Sequence, residues 1–154
     1  MSASQSTLAH ATLTLNRRYP ASVQRVWKAF EDPTVRAIWA APSDDATVRF
    51  DRADFQVGGV DETVCVIDGE DAYLVDDRYY ALAEPSRLVF TETIAVPGAL
   101  LGVCLCSVEL SPDGDGTRLT LTVQTTALDG SGLEMGVGEG WGKALDNLEN
   151  LLRA

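Results

Sequence analysis

The sequence predicts an α+β fold in which an antiparallel sheet packs against helices on one face. Three observations predict it. The middle of the chain is a series of short segments in which apolar and polar residues alternate, both ends carry apolar residues at helical spacing, and the 154 residues suit one domain. Strands framed by helical ends favour an antiparallel sheet of about six or seven strands, followed by a long C-terminal helix.

The first strand is predicted over Ala11–Arg18, where Leu13 and Leu15 share one face. Residues 1–9 before it are small and polar, and we expect them to be flexible. The predicted single domain therefore covers residues 10–154.

Two short helices are predicted directly after this strand. Ser22 suits the N-cap of the first helix, and Asp32 with Pro33 suits the N-cap and first position of the second. Pro42 is predicted to end the second helix. The apolar face of the first helix is Val23, Val26, Trp27 and Phe30, and that of the second is Val35, Ile38 and Trp39.

The remaining strands are predicted from alternation and from the turn residues between them. They are Thr47–Phe55, Glu62–Ile67, Ala72–Ala83, Ser86–Val96, Val103–Leu110 and Thr117–Thr126. Residues 111–116 are rich in Asp and Gly and predict a hairpin turn between the last two.

The final helix is predicted within Ser131–Ala154, with Ser131 and Glu134 as a capping box. Its apolar stripe is Val137, Trp141, Ala144, Leu145, Leu148, Leu151 and Leu152. Its first half contains Gly136, Gly138, Gly140 and Gly142, and each glycine costs about 1 kcal/mol relative to alanine. Either these glycines let the helix approach the sheet or a loop closely, or this half covers unfilled space and can move.

The charge narrows the classes of partner. A formal net charge of -11 disfavours nucleic acid and anionic membrane surfaces, both of which need basic residues. The first residues lack a secretory signal pattern, and no run reaches the ~20 apolar residues of a membrane span. We therefore expect a cytoplasmic protein without membrane insertion; the oligomeric state stays open.

Catalytic and metal-binding patterns are weak. His10, the only histidine, lies near the N-terminus, which makes a Ser-His-Asp triad improbable. Cys65, Cys104 and Cys106 lack the spacing of a zinc site and are interpreted as core or pocket-lining thiols. The remaining acid–base candidates are Glu62, Glu92, Tyr79 and Tyr80, and such residues in a sheet are usually structural. No catalytic residue, metal or cofactor is predicted.

Five segments together resemble a known family. They are RRYPASVQRVWKAFEDPTVRAIWAAP, FQVGG, EPSRLVFTET, GTRLTLTV and GEGWGKALDNLENLL. Over roughly residues 13–152 the chain resembles the START-like or SRPBCC superfamily, in its branch named after the activator of the heat-shock-90 chaperone ATPase. This resemblance implies a helix-grip fold, in which a curved antiparallel sheet wraps the C-terminal helix and leaves a cavity between them.

The family's inward orientation, combined with same-face patterning, predicts the residues that contact a ligand. They are Trp39, Phe90, Glu92, Cys104, Cys106, Leu121, Val123, Val137 and Trp141. The chain departs from the family at Ile38, where tryptophan is frequent, at Glu92, where an aromatic residue is frequent, and near Val123, where histidine is common. If Glu92 faces the cavity, it favours a ligand with a donor or a positive charge; alternatively it lies at the mouth or pairs with Arg78 or Arg87.

The resemblance implies three function classes. The first is a binding protein for a small hydrophobic, lipid-like or amphipathic molecule. The second is an enzyme of the cyclase, aromatase or hydratase type that acts on a bound polyketide or aromatic ligand. The third, regulation of a chaperone ATPase, is disfavoured because no second domain is predicted that would bind a chaperone.

Overall fold

The computed structural model describes residues 7–154, which form a seven-stranded antiparallel sheet and three helices. The strands are β1 Leu8–Tyr19, β2 Ala46–Arg52, β3 Val60–Ile67, β4 Glu70–Ala83, β5 Arg87–Val96, β6 Ala99–Asp113 and β7 Gly116–Leu128. The helices are α1 Val23–Glu31, α2 Pro33–Trp39 and α3 Leu133–Arg153. The predicted α+β, helix-grip architecture is confirmed. Within residues 7–154, each helix is too short or too polar to cross a membrane.

The sheet order is β1-β7-β6-β5-β4-β3-β2, so β2 to β7 follow one another and β1 pairs with β7. β1 begins at Leu8, which pairs with Leu128, and Ala9 pairs with Ala127. The expected flexible start is therefore wrong for Leu8 and Ala9, since backbone pairing with β7 orders them; residues 1–6 lie outside the described part of the chain.

The predicted starts of α1 and α2 are confirmed by their caps. The Ser22 hydroxyl accepts a hydrogen bond from the Arg25 N–H at 3.2 Å, and the Asp32 carboxylate accepts one from the Thr34 N–H at 2.9 Å. Each bond satisfies an N–H group that has no partner inside the helix.

The predicted apolar face of α2 is wrong at one position. Ile38 is 65% exposed, whereas Arg36 and Trp39 are buried. Residues three apart on a helix share a face, so α2 presents Arg36 together with Trp39 to the interior. The guanidinium of Arg36 lies over the ring of Trp39, 5.1 Å from its centroid, which lets a charged side chain pack among aromatic residues.

The predicted capping box of α3 is also wrong. The N-cap is Gly132, in the left-handed conformation with φ of 77°, which glycine adopts without steric cost. Ser131 instead donates its hydroxyl to the Leu101 carbonyl at 2.9 Å. The same hydroxyl accepts a hydrogen bond from the Leu133 N–H at 3.4 Å, so a contact with β6 and a long local bond together position the start of the helix.

The second half of α3 is anchored in the core. Leu145, Leu148 and Leu152 are buried, as the apolar stripe predicts. The Tyr19 hydroxyl donates to the Leu145 carbonyl at 3.0 Å and ties this half to the end of β1. α3 packs mainly on β1 and β7, at one edge of the sheet. The inner face of the strands toward the other edge, β2, is therefore less covered by the helix.

Candidate functional site

A cavity of about 500 Å³ lies between the inner face of β2–β5 and the first half of α3. This volume falls within the range of roughly 300–1,000 Å³ that is usual for small-molecule sites. Much of its wall is apolar. Representative apolar residues are Val48 and Phe50 from β2, Val75 from β4, Ile94 from β5, and Leu133, Val137 and Trp141 from α3.

The glycines of α3 differ in their surroundings. A Cβ added at Gly138 would lie 3.2 Å from the Leu13 side chain, and one at Gly140 would lie 3.3 Å from Pro42. At these two positions, glycine therefore lets the helix approach the sheet or a loop closely, which is the first of the two interpretations given above. At Gly136, which borders the cavity, an added Cβ would meet no atom within 4 Å. Movement of this half of the helix stays a prediction.

The structure separates the predicted ligand-contacting residues into two groups. Glu92, Val137 and Trp141 line the cavity. The others are buried in the core on the inner face of the sheet or beside it: Trp39, Phe90, Cys104, Cys106, Leu121 and Val123. The strand residues of this second group are buried, as the predicted alternation requires. The cavity, however, lies closer to the β2 edge of the sheet than they do. Contact between the second group and a ligand stays a prediction.

Two buried charged residues that the sequence analysis did not select also line the cavity. They are Arg36 of α2 and Asp77 of β4. The Arg36 Nη2 lies 3.4 Å from the Asp77 Oδ2, and both side chains are 5% exposed. The alternation of β4, which places Asp77 on the same face as Tyr79, was the one sequence signal for Asp77.

Glu92 belongs to the same buried cluster. It is the direct cross-strand neighbour of Asp77 in the pairing of β4 with β5. The alternative partners Arg78 and Arg87 are exposed, so the partnership considered with them is not formed. The cationic group of this cluster is instead Arg36, which pairs with Asp77, the neighbour of Glu92. Glu92 lines the cavity, which is the first of the two alternatives that the sequence left open.

The cluster combines two carboxyl groups with one guanidinium. Burial raises the pKa of Asp77 well above its ordinary value; the charge of Glu92 raises that pKa further, and Arg36 opposes the rise. Two adjacent buried carboxyl groups cannot both be ionised cheaply beside a single cation.

Tyr79, an acid–base candidate from the sequence, is held by a third buried carboxylate, Asp61. Its hydroxyl donates to the Asp61 Oδ2 at 2.6 Å, and the Asp61 Oδ1 accepts from the Asp54 N–H at 2.6 Å. Burial raises the pKa of Tyr79, with Arg36 opposing and Asp77 and Asp61 adding to the rise. These contacts support a structural role, in which Tyr79 connects β4 to the segment before β3.

The three thiols are poor nucleophiles in this environment. Burial raises the pKa of Cys65 to about 11 and, with a smaller opposing hydrogen bond to Thr125, that of Cys104 to about 11. Burial also raises the pKa of Cys106. The thiolate is the reactive form, so little of it is present at neutral pH.

We therefore expect all three cysteines to react slowly with a bulky maleimide in the folded protein, because each is buried and protonated. Cys65, which lines the cavity, should be protected further by a bound ligand. Mass spectrometry after timed labelling, with urea-unfolded protein as the control, measures this. Labelling of Cys104 or Cys106 at the unfolded rate would contradict the prediction.

Comparison with known proteins places this geometry in a family. The model of the Activator of Hsp90 ATPase homolog 1-like protein family matches residues 20–153. Comparison with curated proteins finds no match.

Solved structures of similar proteins share the fold. The Mll3558 protein of Rhizobium loti is 32% identical, with 94% of this chain and 98% of that chain covered and a TM-score of 0.82. An uncharacterised protein of Rhizobium leguminosarum is 24% identical, with 97% and 99% covered and a TM-score of 0.86. CalU16 of Micromonospora echinospora is 24% identical, with 98% and 87% covered and a TM-score of 0.60. With a family model that spans most of its length and a matching fold, this chain belongs to the Activator of Hsp90 ATPase homolog 1-like family.

Proposed function

We propose that this protein binds a small apolar or amphipathic molecule in the cavity between the sheet and α3. The observation that carries the proposal is the cavity itself, with largely apolar walls and the buried Arg36, Asp77 and Glu92 cluster bordering it. Apolar walls with a few convergent polar groups are typical of ligand sites. The family is one that commonly binds small ligands.

Binding is the function that these side chains support best. The acid–base candidate Tyr79 is committed to Asp61, and His10 lies on β1, where its ring contacts Thr126. The cavity's own cysteine, Cys65, is protonated at neutral pH. The cyclase, aromatase or hydratase reading and the chaperone-regulator reading each rest on family resemblance, whereas the cavity and its lining directly support ligand capture.

Native mass spectrometry of gently purified protein tests the proposal first. We expect a molecule of small mass to be retained, or the emptied protein to bind the neutral fluorescent dye Nile red with one-to-one stoichiometry. The absence of both a retained ligand and saturable dye binding would contradict the proposal.

Gly136→Leu tests whether binding occurs in this cavity. An added side chain at Gly136 begins in open space at the cavity wall, so we expect it to weaken dye binding at least tenfold while the fold is retained. Leucine also has a higher helix propensity than glycine, by roughly 1 kcal/mol.

Gly142→Leu is the matched control for this variant. Gly142 is on the same helix but outside the cavity lining, and its Cβ would lie 3.9 Å from the flexible end of Arg17. Dye titration and thermal unfolding of both variants give the comparison. Equal dye affinity of Gly136→Leu and the unmodified protein would place the site elsewhere.

A further inference from the structure

We propose that the ligand of this cavity carries a cationic group, such as a protonated amine, on an apolar body, and that Asp77 and Glu92 bind that group. This inference rests on the proposed binding function and adds the chemical class of the ligand.

The charges around the cavity are unbalanced. Four of its lining residues are acidic, and the single basic one is Arg36. Asp45 and Glu139 are exposed and belong to the mouth, whereas Asp77 and Glu92 are buried and belong to the deep part. The nearby Lys143 already pairs with Asp44 at 2.7 Å. A cation therefore meets carboxylates both on entering the cavity and at its buried end.

The buried carboxyl groups offer a specific acceptor. The Asp77 side chain is 5% exposed and lines the cavity, and its Oδ1 has no hydrogen-bond donor among residues 7–154. Glu92 lies directly across from it on β5. A buried carboxylate is costly unless it is paired and hydrogen-bonded. The N–H groups of an ammonium can satisfy both carboxylates at once.

Arg36 does not cancel this preference. Its Nη2 is used by Asp77, and its guanidinium lies over three aromatic rings, those of Phe30, Trp39 and Phe90. One guanidinium balances one of the two buried carboxylates, which leaves room for one further positive charge. The Arg36 Nη1 has no hydrogen-bond acceptor among residues 7–154, but an anionic ligand that approached it would be repelled by the two buried carboxyl groups beside this one guanidinium.

A matched set of three naphthyl probes tests the charge preference. 2-(1-Naphthyl)ethylamine, 2-(1-naphthyl)ethanol and 1-naphthaleneacetic acid have similar apolar bodies and are cationic, neutral and anionic at pH 7. We expect the amine to bind at least tenfold more tightly than the alcohol, and the acid to bind most weakly, by fluorescence titration at fixed ionic strength.

Glu92→Gln should abolish most of the tenfold preference for the amine over the alcohol, measured as the ratio of the two dissociation constants. Glu109→Gln is the control, because it removes the same single charge from the exposed face of β6. That variant should keep the preference, which separates a local contact from the general attraction of a protein with net charge -11.

The outcomes distinguish this inference from the proposed function. Equal affinity for the three probes, tightest binding of the acid, or an unchanged preference in Glu92→Gln would overturn the cationic ligand and leave the binding function in place. Failure of all three probes and of Nile red to bind would overturn both.

Discussion

Replacing Arg36 with methionine is expected to lower the free energy of unfolding by about 3–5 kcal/mol at pH 8, the usual cost of removing one partner from a buried ion pair. Methionine keeps an apolar side chain against Phe30 and Trp39, so most of the loss should come from charge. Without the guanidinium, Asp77 and Glu92 remain buried next to each other with no cation beside them.

The pH dependence of this loss identifies its cause. The folded-state pKa of Asp77 is already raised above its unfolded value, and removing Arg36 removes the one nearby charge that lowers it. A carboxyl group with a raised folded pKa contributes stability that is complete below its unfolded pKa and is lost as the pH rises through the folded pKa. The cost of Arg36→Met should therefore be smaller at pH 5 than at pH 8.

Urea unfolding at the two pH values measures the effect. Arg36→Met combined with Asp77→Asn is the informative control, because it removes the pair together and should recover part of the lost stability at pH 8. A loss of equal size at both pH values, with no recovery in the double variant, would show that Arg36 acts through packing alone.

Truncating Leu148 to alanine is expected to lower the free energy of unfolding by about 2–5 kcal/mol. Its side chain is fully buried in the core beneath the second half of the helix axis of α3, and its removal leaves a cavity. Leu145 and Leu152 have similar environments and should behave alike. Leu74→Ala is the control, since Leu74 is exposed on β4 and its truncation should change stability by less than about 0.5 kcal/mol.

Gly136→Ala is the comparison within the same helix. The added methyl has open space and restores helix propensity, so stability should hold or rise by up to about 1 kcal/mol. If the first half of α3 moves to admit a ligand, release of Nile red from this variant should also be slower in stopped-flow measurements. An unchanged release rate, with Leu148→Ala destabilised as expected, would leave α3 as a rigid wall of the cavity.

Features that depend on residues close in sequence could be predicted. Caps such as Ser22 and Asp32 depend on contacts between residues two or three positions apart, so the local sequence determines them. Strand alternation has the same local origin, which is why Phe90 and Glu92 were predicted to share one face of β5, and both are buried. The apolar stripe of α3 was predictable for the same reason.

Predictions were wrong where contacts between distant parts of the chain decided the local arrangement. Ser131 has the sequence position of an N-cap, yet its hydroxyl donates to the Leu101 carbonyl, 30 residues away in the chain. Ile38 was predicted on the apolar face of α2, but the docking of α2 exposes Ile38 and buries Arg36 among aromatic rings. Helical spacing alone does not show which side of a seven-residue helix faces the interior.

The sequence by itself determined the α+β class and the leucine-rich anchor of α3, and its resemblance to a family implied the helix-grip architecture. Only the tertiary structure decided where the cavity lies and what charge lines it. α3 packs mainly on β1 and β7, which leaves space over β2–β5. Arg36, Asp77 and Glu92 come from three separate elements and meet there, because chain folding brings together charges whose mutual distance no local pattern encodes.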